Sequence, residues 1–117
     1  MDYKDLNVWK EALGLVEDVY TVIETMPKTE LYGLSGQIKR SCISIPSNIA
    51  EGANRQTKKE FIQFLYIALG STAELETQIV IAQRLGFINN GETICITITK
   101  IRKMINALIK SLKTAKL

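Results

Sequence analysis

Apolar side chains recur at alternating steps of three and four along most of the chain, the spacing that lines one face of a helix. Near the N-terminus, Leu6, Trp9, Leu13, Val16, Tyr20 and Ile23 make such a seam and predict a helix from about Asn7 to Thr25. Asp5 or Asn7 can cap its start, and Pro27 lies just past its end. A second seam runs beside the first through Val8, Ala12, Leu15, Val19, Val22 and Met26. One stripe is enough to bury a helix in a monomeric bundle. Two place this helix either at the centre of its own bundle or against another subunit. The second reading is favoured, because extended apolar faces mark contacts.

The next seam is Leu34, Ile38, Cys42, Ile45 and Ile49, in a helix that begins between Thr29 and Ser35 and continues to about Ala53. Pro46 falls inside it, removes the hydrogen bond to the Cys42 carbonyl and predicts a bend there; a break into two helices at Ile45 is the alternative. A third helix is expected from about Lys58 to Leu85, with Phe61, Phe64, Leu65, Ala68, Thr72, Leu75, Ile79 and Ala82 along one face. Thr57-Lys58-Lys59-Glu60 reads as a capping box at its start, and Gly86 as a left-handed residue just past its end. Gly70-Ser71 interrupts this helix halfway, and close packing by another helix would offset the cost of the glycine. The last seam, Ile94, Ile98, Ile101, Ile105, Leu108 and Leu112, follows Asn89-Asn90-Gly91-Glu92. Ile94 to Thr99 also alternates like a strand, but the helical steps continue for three more turns and no partner strand is in sight. Four helices with short connections predict an all-α, antiparallel up-down-up-down four-helix bundle, with residues 1–117 as one domain.

Composition agrees with a globular domain: of 117 residues, 46% are apolar and 23% charged. No apolar run approaches the roughly 20 residues that span a bilayer. The opening residues, Met1-Asp2-Tyr3-Lys4-Asp5, lack the basic-then-apolar order of a signal peptide. Cys42 and Cys95 show no motif spacing and read as buried free thiols, which fits a reducing compartment. A cytoplasmic protein with no membrane contact is expected.

The chemistry that is missing narrows the function. There is no histidine, so the usual acid–base residue and commonest metal ligand are absent. Two separated cysteines do not make a zinc site, and neither a phosphate-cradling glycine loop nor a Glu-x-x-His pair occurs. No enzyme, metal or cofactor is expected.

What remains is charge and one polar stripe. The net charge of +3 is unevenly placed: residues 1–30 carry seven acids against three bases, and residues 100–117 carry six bases and no acid. Arg40 with Lys39, then Arg55, Lys58 and Lys59, then Lys100, Arg102, Lys103, Lys110, Lys113 and Lys116 on the last helix are the basic candidates. Antiparallel helices should bring the last helix's lysines toward the end bearing Arg55, Lys58 and Lys59. That arrangement is either a phosphate-facing surface for RNA or DNA, or a solvated face. On the second helix Gln37, Ser41, Ser44, Asn48, Glu51 and Arg55 recur at steps of three and four beside the apolar seam. Gln37, Ser44, Asn48 and Glu51 are thus candidates for a hydrogen-bonding interface with a partner helix, subunit or ligand. They serve equally as a boundary stripe that satisfies itself.

The string Gln37-Ile38-Lys39-Arg40-Ser41, followed by Ser44-Ile45-Pro46-Ser47-Asn48-Ile49-Ala50-Glu51-Gly52, resembles a hallmark of the four-helix-bundle proteins encoded in intervening sequences of bacterial 23S ribosomal RNA genes. Leu6-Asn7-Val8-Trp9-Lys10, Glu60-Phe61, Ala68-Leu69-Gly70-Ser71 and Glu74-Leu75-Glu76-Thr77-Gln78 are similar too. The resemblance implies a bundle that assembles with itself as a homopentamer. A related group, the accessory variability determinants of diversity-generating retroelements, forms a basic barrel that binds nucleic acid and a reverse transcriptase; this chain departs from it in being only mildly basic. Arg40 and Arg55 are the matched basic positions. The expected function is a non-catalytic homo-oligomer whose basic end contacts RNA or DNA. The alternative is an assembly or adaptor protein that holds a protein partner without nucleic acid.

Overall fold

The computed structural model describes residues 2–114, so Lys116 lies outside the described residues. Four helices, α1 (Asn7–Ile23), α2 (Leu34–Ala53), α3 (Lys58–Arg84) and α4 (Gly91–Thr114), account for most of the chain. Single turns of 3-10 helix at Tyr3–Asp5 and Lys28–Glu30 precede α1 and α2, and no strand occurs among the described residues. Ile94 to Thr99 is helical throughout: Ile94 and Ile98 join the buried seam of a longer amphipathic segment, while Ile96, which a strand would place on their side, faces solvent. Each helix packs against its two neighbours in the cycle α1–α2–α3–α4–α1, while the diagonal pairs do not touch. The result is an antiparallel bundle 51 Å long and 20 to 23 Å across.

One apolar cluster runs through all four helices. Leu15, Ile38, Ile45, Ile49, Leu65, Leu75, Ile79, Ile98, Ile101 and Ile105 in it are fully buried. The seams expected of α2 and α3 are buried except at Leu34 and Phe64, which are half-buried, and α2 stays helical through Pro46 without breaking at Ile45. Toward the end of α4, Ile109 takes the core place expected of Leu108 and Leu112, which are half-buried. A straight helix drifts away from a strict seven-residue repeat, so the buried line shifts by a position.

Of the two α1 stripes, the one through Val8, Ala12, Leu15 and Val19 is the one that faces the core. Val8, Ala12, Leu15, Val19 and Met26 face the core together with Ile23, whereas Leu13 and Tyr20 are more than one-third exposed. Trp9 and Val16 are half-buried at the edge. Trp9 and Tyr20 carry polar tips that favour a boundary with water.

The ends follow local chemistry. Leu6, not Asp5 or Asn7, stands at the N-cap of α1 with no side-chain cap, and Asp2 caps the preceding 3-10 turn instead, its carboxylate accepting from the Lys4 N–H at 2.9 Å. At α3, Thr57 Oγ1 accepts from the Glu60 N–H at 3.1 Å, and its own hydroxyl donates to the Glu60 carboxylate at 2.9 Å. Gly86, at φ +77°, ends α3: the Phe87 N–H donates to the Ala82 carbonyl and the Gly86 N–H to that of Gln83. No helix among the described residues is long and apolar enough to cross a membrane.

Candidate nucleic-acid interface

The turn from α2 into α3 is only four residues long, so Arg55, Lys58 and Lys59 emerge at one end of the bundle, all exposed. Arg55 lies over the Phe64 ring, with its guanidinium carbon 4.7 Å from the centroid, and meets Glu51 one turn back at 3.6 Å. Both members of that pair are about half exposed, so the attraction is weak and screened. Lys58 and Lys59 occupy the first turn of α3, where the positive end of the helix dipole disfavours cations and adds to the local positive potential.

Helix α4 returns to the same end. Lys113 Nζ donates to the Tyr66 hydroxyl at 2.9 Å and sits 5.4 Å from that ring's centroid. Tyr66 lies eight residues into α3, about 12 Å along the axis from Lys58. Lys110 is exposed one turn earlier on α4. The structure therefore brings Arg55, Lys58, Lys59, Lys110 and Lys113 toward the same end of the bundle, with Arg55 on the α2 side of α3 and Lys113 on its α4 side. Arg40 does not join them. It lies fifteen residues before Arg55 on α2, about 22 Å away along the helix. Phe64 and Tyr66, the aromatic supports of the two cations, sit on a different helix from Arg55 and Lys113, and nothing local in the sequence pairs them.

The polar stripe of α2 is largely turned toward α3. Asn48 Nδ2 donates to the Ser44 carbonyl at 2.8 Å and to Ser44 Oγ at 2.9 Å. The Ser44 hydroxyl is thereby left to donate to Ser71 Oγ at 2.7 Å, and Ser71 passes its own proton to the Ile67 carbonyl at 3.3 Å. Ser41 Oγ donates to Gln78 Oε1 at 2.7 Å. Every one of these side-chain groups is at least half-buried, so the bonds mainly spare polar atoms the cost of dehydration. Toward the far end the stripe opens into a furrow of about 450 Å³ lined by Gln37, Arg40, Ser44, Glu74 and Gln78. Gln37 is exposed at its mouth, and Glu51 faces solvent beside Arg55.

Other ion pairs tie helices together. Arg102 of α4 holds Glu76 of α3 at 2.9 Å, and Lys100 holds Glu11 of α1 at 2.9 Å. These bonds place α4 between α3 and α1 and leave the basic end to the residues named above.

No curated protein matches the chain. A protein of unknown function from the S23 ribosomal protein family of Bacteroides thetaiotaomicron VPI-5482 has a crystal structure similar to this one. The two share 28% identity and a TM-score of 0.81, over 88% of this chain and 98% of that one. A family model described as 23S rRNA-intervening sequence protein matches residues 4–107, so the chain belongs to the 23S rRNA-intervening sequence protein family.

Proposed function

We propose that this chain is a non-catalytic, homo-oligomeric binding protein, a pentamer by its family resemblance, that contacts RNA or DNA through its basic end. The observation that carries this reading is the pair of cations held over aromatic rings, Arg55 on Phe64 and Lys113 on Tyr66, beside the exposed Lys58 and Lys59. Lys113, held by a ring and a phenol, has no carboxylate beside it to offset its field, and Arg55 shares only a weak, solvent-screened contact with Glu51. A helix N-terminus bearing two lysines adds backbone N–H groups suited to phosphate. Repetition of the patch around an oligomer would multiply a modest single-site affinity through effective concentration.

The test is fluorescence anisotropy of a structured RNA and a DNA duplex at low and moderate salt, with wild type and the Arg55→Glu/Lys58→Glu double variant. Each phosphate neutralised releases a counterion, so affinity should fall steeply with salt, with a log–log slope of roughly −0.9 per phosphate on a B-form duplex. The double variant should bind more weakly and with a shallower slope. Absence of binding, or binding that neither salt nor the charge reversal alters, overturns the reading.

A further inference from the structure

The outward face of α3 is unlike that of a solvated helix. From Phe61 to Gln83 the only charged residues are Glu74 and Glu76, and Glu76 is turned aside to Arg102 of α4. Ile67, Val80 and Ile81 are each between two-fifths and just over half exposed, with Gly70 and Ala73 between them. A water-facing helix surface is ordinarily charge-rich. The close helix contact expected at Gly70 is not made within the chain, because a Cβ built there would find nothing within 4 Å. The glycine opens a shallow notch on an apolar surface that its own bundle leaves uncovered.

A second uncovered stripe lies on α1, where Leu13 and Tyr20 are exposed and Ile43 of α2 extends the surface. The α1 stripe lies at the α1–α2 edge beside Ile43, and the bare α3 surface lies on the outer side of the diagonal helix, so the two surfaces are separate and neither covers the other. A two-fold contact through either one leaves the other wet. A head-to-tail contact covers both with one interface and repeats around a ring.

The levels of the two surfaces agree. Leu13 shares a furrow with Ile43, and the next residue, Ser44, bonds Ser71 of α3. Tyr20 lies under Lys39, and Ser41, half a turn on, bonds Gln78. Leu13 is therefore level with Gly70 and Ala73, and Tyr20 is level with Val80 and Ile81. Helices α1 and α3 also run in the same direction. Charge agrees in the same register. Glu17 and Glu24 are exposed beside the α1 stripe, and Arg40 and Arg84 are exposed beside the far half of the α3 face. None of the four has an ion-pair partner among the described residues.

Building on the homo-oligomer reading above, we propose that the outer face of α3 in one subunit seats on the Leu13–Tyr20 stripe of α1 in the next copy. The helices run parallel, Leu13 enters the notch at Gly70 and Ala73, and Glu24 faces Arg84.

Light scattering on the full chain tests this with Leu13→Arg and Ala73→Arg made separately, circular dichroism confirming that both fold. Each variant should be a monomer at concentrations where wild type is fully assembled. Mixed in equal amounts they should form a one-to-one heterodimer, since one intact α1–α3 contact then remains and the ring cannot close. If wild type assembles but both variants keep its size, or the mixture stays monomeric, the assignment of faces is overturned while the oligomer reading stands. If one variant is monomeric and the other still pairs with itself, a two-fold contact replaces the head-to-tail one. A monomeric wild type overturns the oligomer reading and this one with it. The exposed charge swap gives an arm that does not strain the fold. Glu24→Lys and Arg84→Glu should each weaken assembly at low salt, and their combination in one chain should restore it. Failure to restore refutes the parallel register.

Discussion

Gly52 marks the closest approach of α2 and α3 beside the basic end, and enlarging it is an informative perturbation. A Cβ at this position would stand 2.6 Å from Phe64 Cβ, 3.0 Å from Phe61 Cδ1 and 3.2 Å from the Phe61 carbonyl oxygen. Two of those atoms are fixed by the α3 backbone, so relief requires the helices to move apart. In Gly52→Ala the gain in helix propensity is about 1 kcal/mol. Overpacking of a tight contact costs about 1–3 kcal/mol, and this contact belongs near the upper end because backbone must shift. The balance is a net loss of about 1–2 kcal/mol, or a melting temperature lower by roughly 5–10 °C for a domain of this size. Thermal melts followed by circular dichroism at one fixed subunit concentration give the measurement, since assembly makes the midpoint concentration-dependent. Gly14→Ala is the matched control: nothing lies within 4 Å of a Cβ there, so that variant should melt at or above wild type. If Gly52→Ala melts no lower than wild type, the α2–α3 contact is looser than described. The placement of Arg55 over Phe64 would then lose its structural basis.

Two further outcomes are expected. Ser44→Ala and Ser71→Ala should each cost about 1 kcal/mol in urea denaturation, and together less than their sum, with a coupling of about 0.5–1.5 kcal/mol, because the two hydroxyls bond each other; strict additivity would show that they do not. Burial pushes the Cys42 thiol from an ordinary 9.0 up to about 11, so the folded state keeps a proton that the unfolded chain gives up. That contribution is fully present below about pH 9 and is lost as pH rises toward about 11, so wild-type stability should decline more steeply across this window than that of Cys42→Ala. Parallel declines would contradict the burial of the thiol.

The basic end was legible in part. Arg55, Lys58 and Lys59 are neighbours in sequence, and the alternation of helix direction brings Lys110 and Lys113 back toward them. Their aromatic supports were not legible, because Phe64 and Tyr66 reach Arg55 and Lys113 only once α2 and α4 have docked on α3. The same holds for the α2 stripe. Its periodicity marks Ser41 and Ser44 as boundary positions, but Gln78 and Ser71 lie 37 and 27 residues away and carry no matching signal of their own. Arg40 is a separate case: the resemblance matches it as it matches Arg55, but most of α2 lies between the two.

The three-and-four spacing of apolar residues, the Thr57–Glu60 cap and the left-handed Gly86 determined by themselves where the helices run and how α3 begins and ends. These depend on hydrogen bonds and side chains within a few residues of one another. The rotation of each helix was decided only by the assembled bundle. Both stripes of α1 satisfy the same periodicity, and choosing between them required the neighbouring helices, which bury Ala12 and Val8 and leave Tyr20 at the rim. The bare outer face of α3 emerged in the same way. A seam in the sequence tells which residues share a side, but only packing against particular neighbours settles which side is left without one.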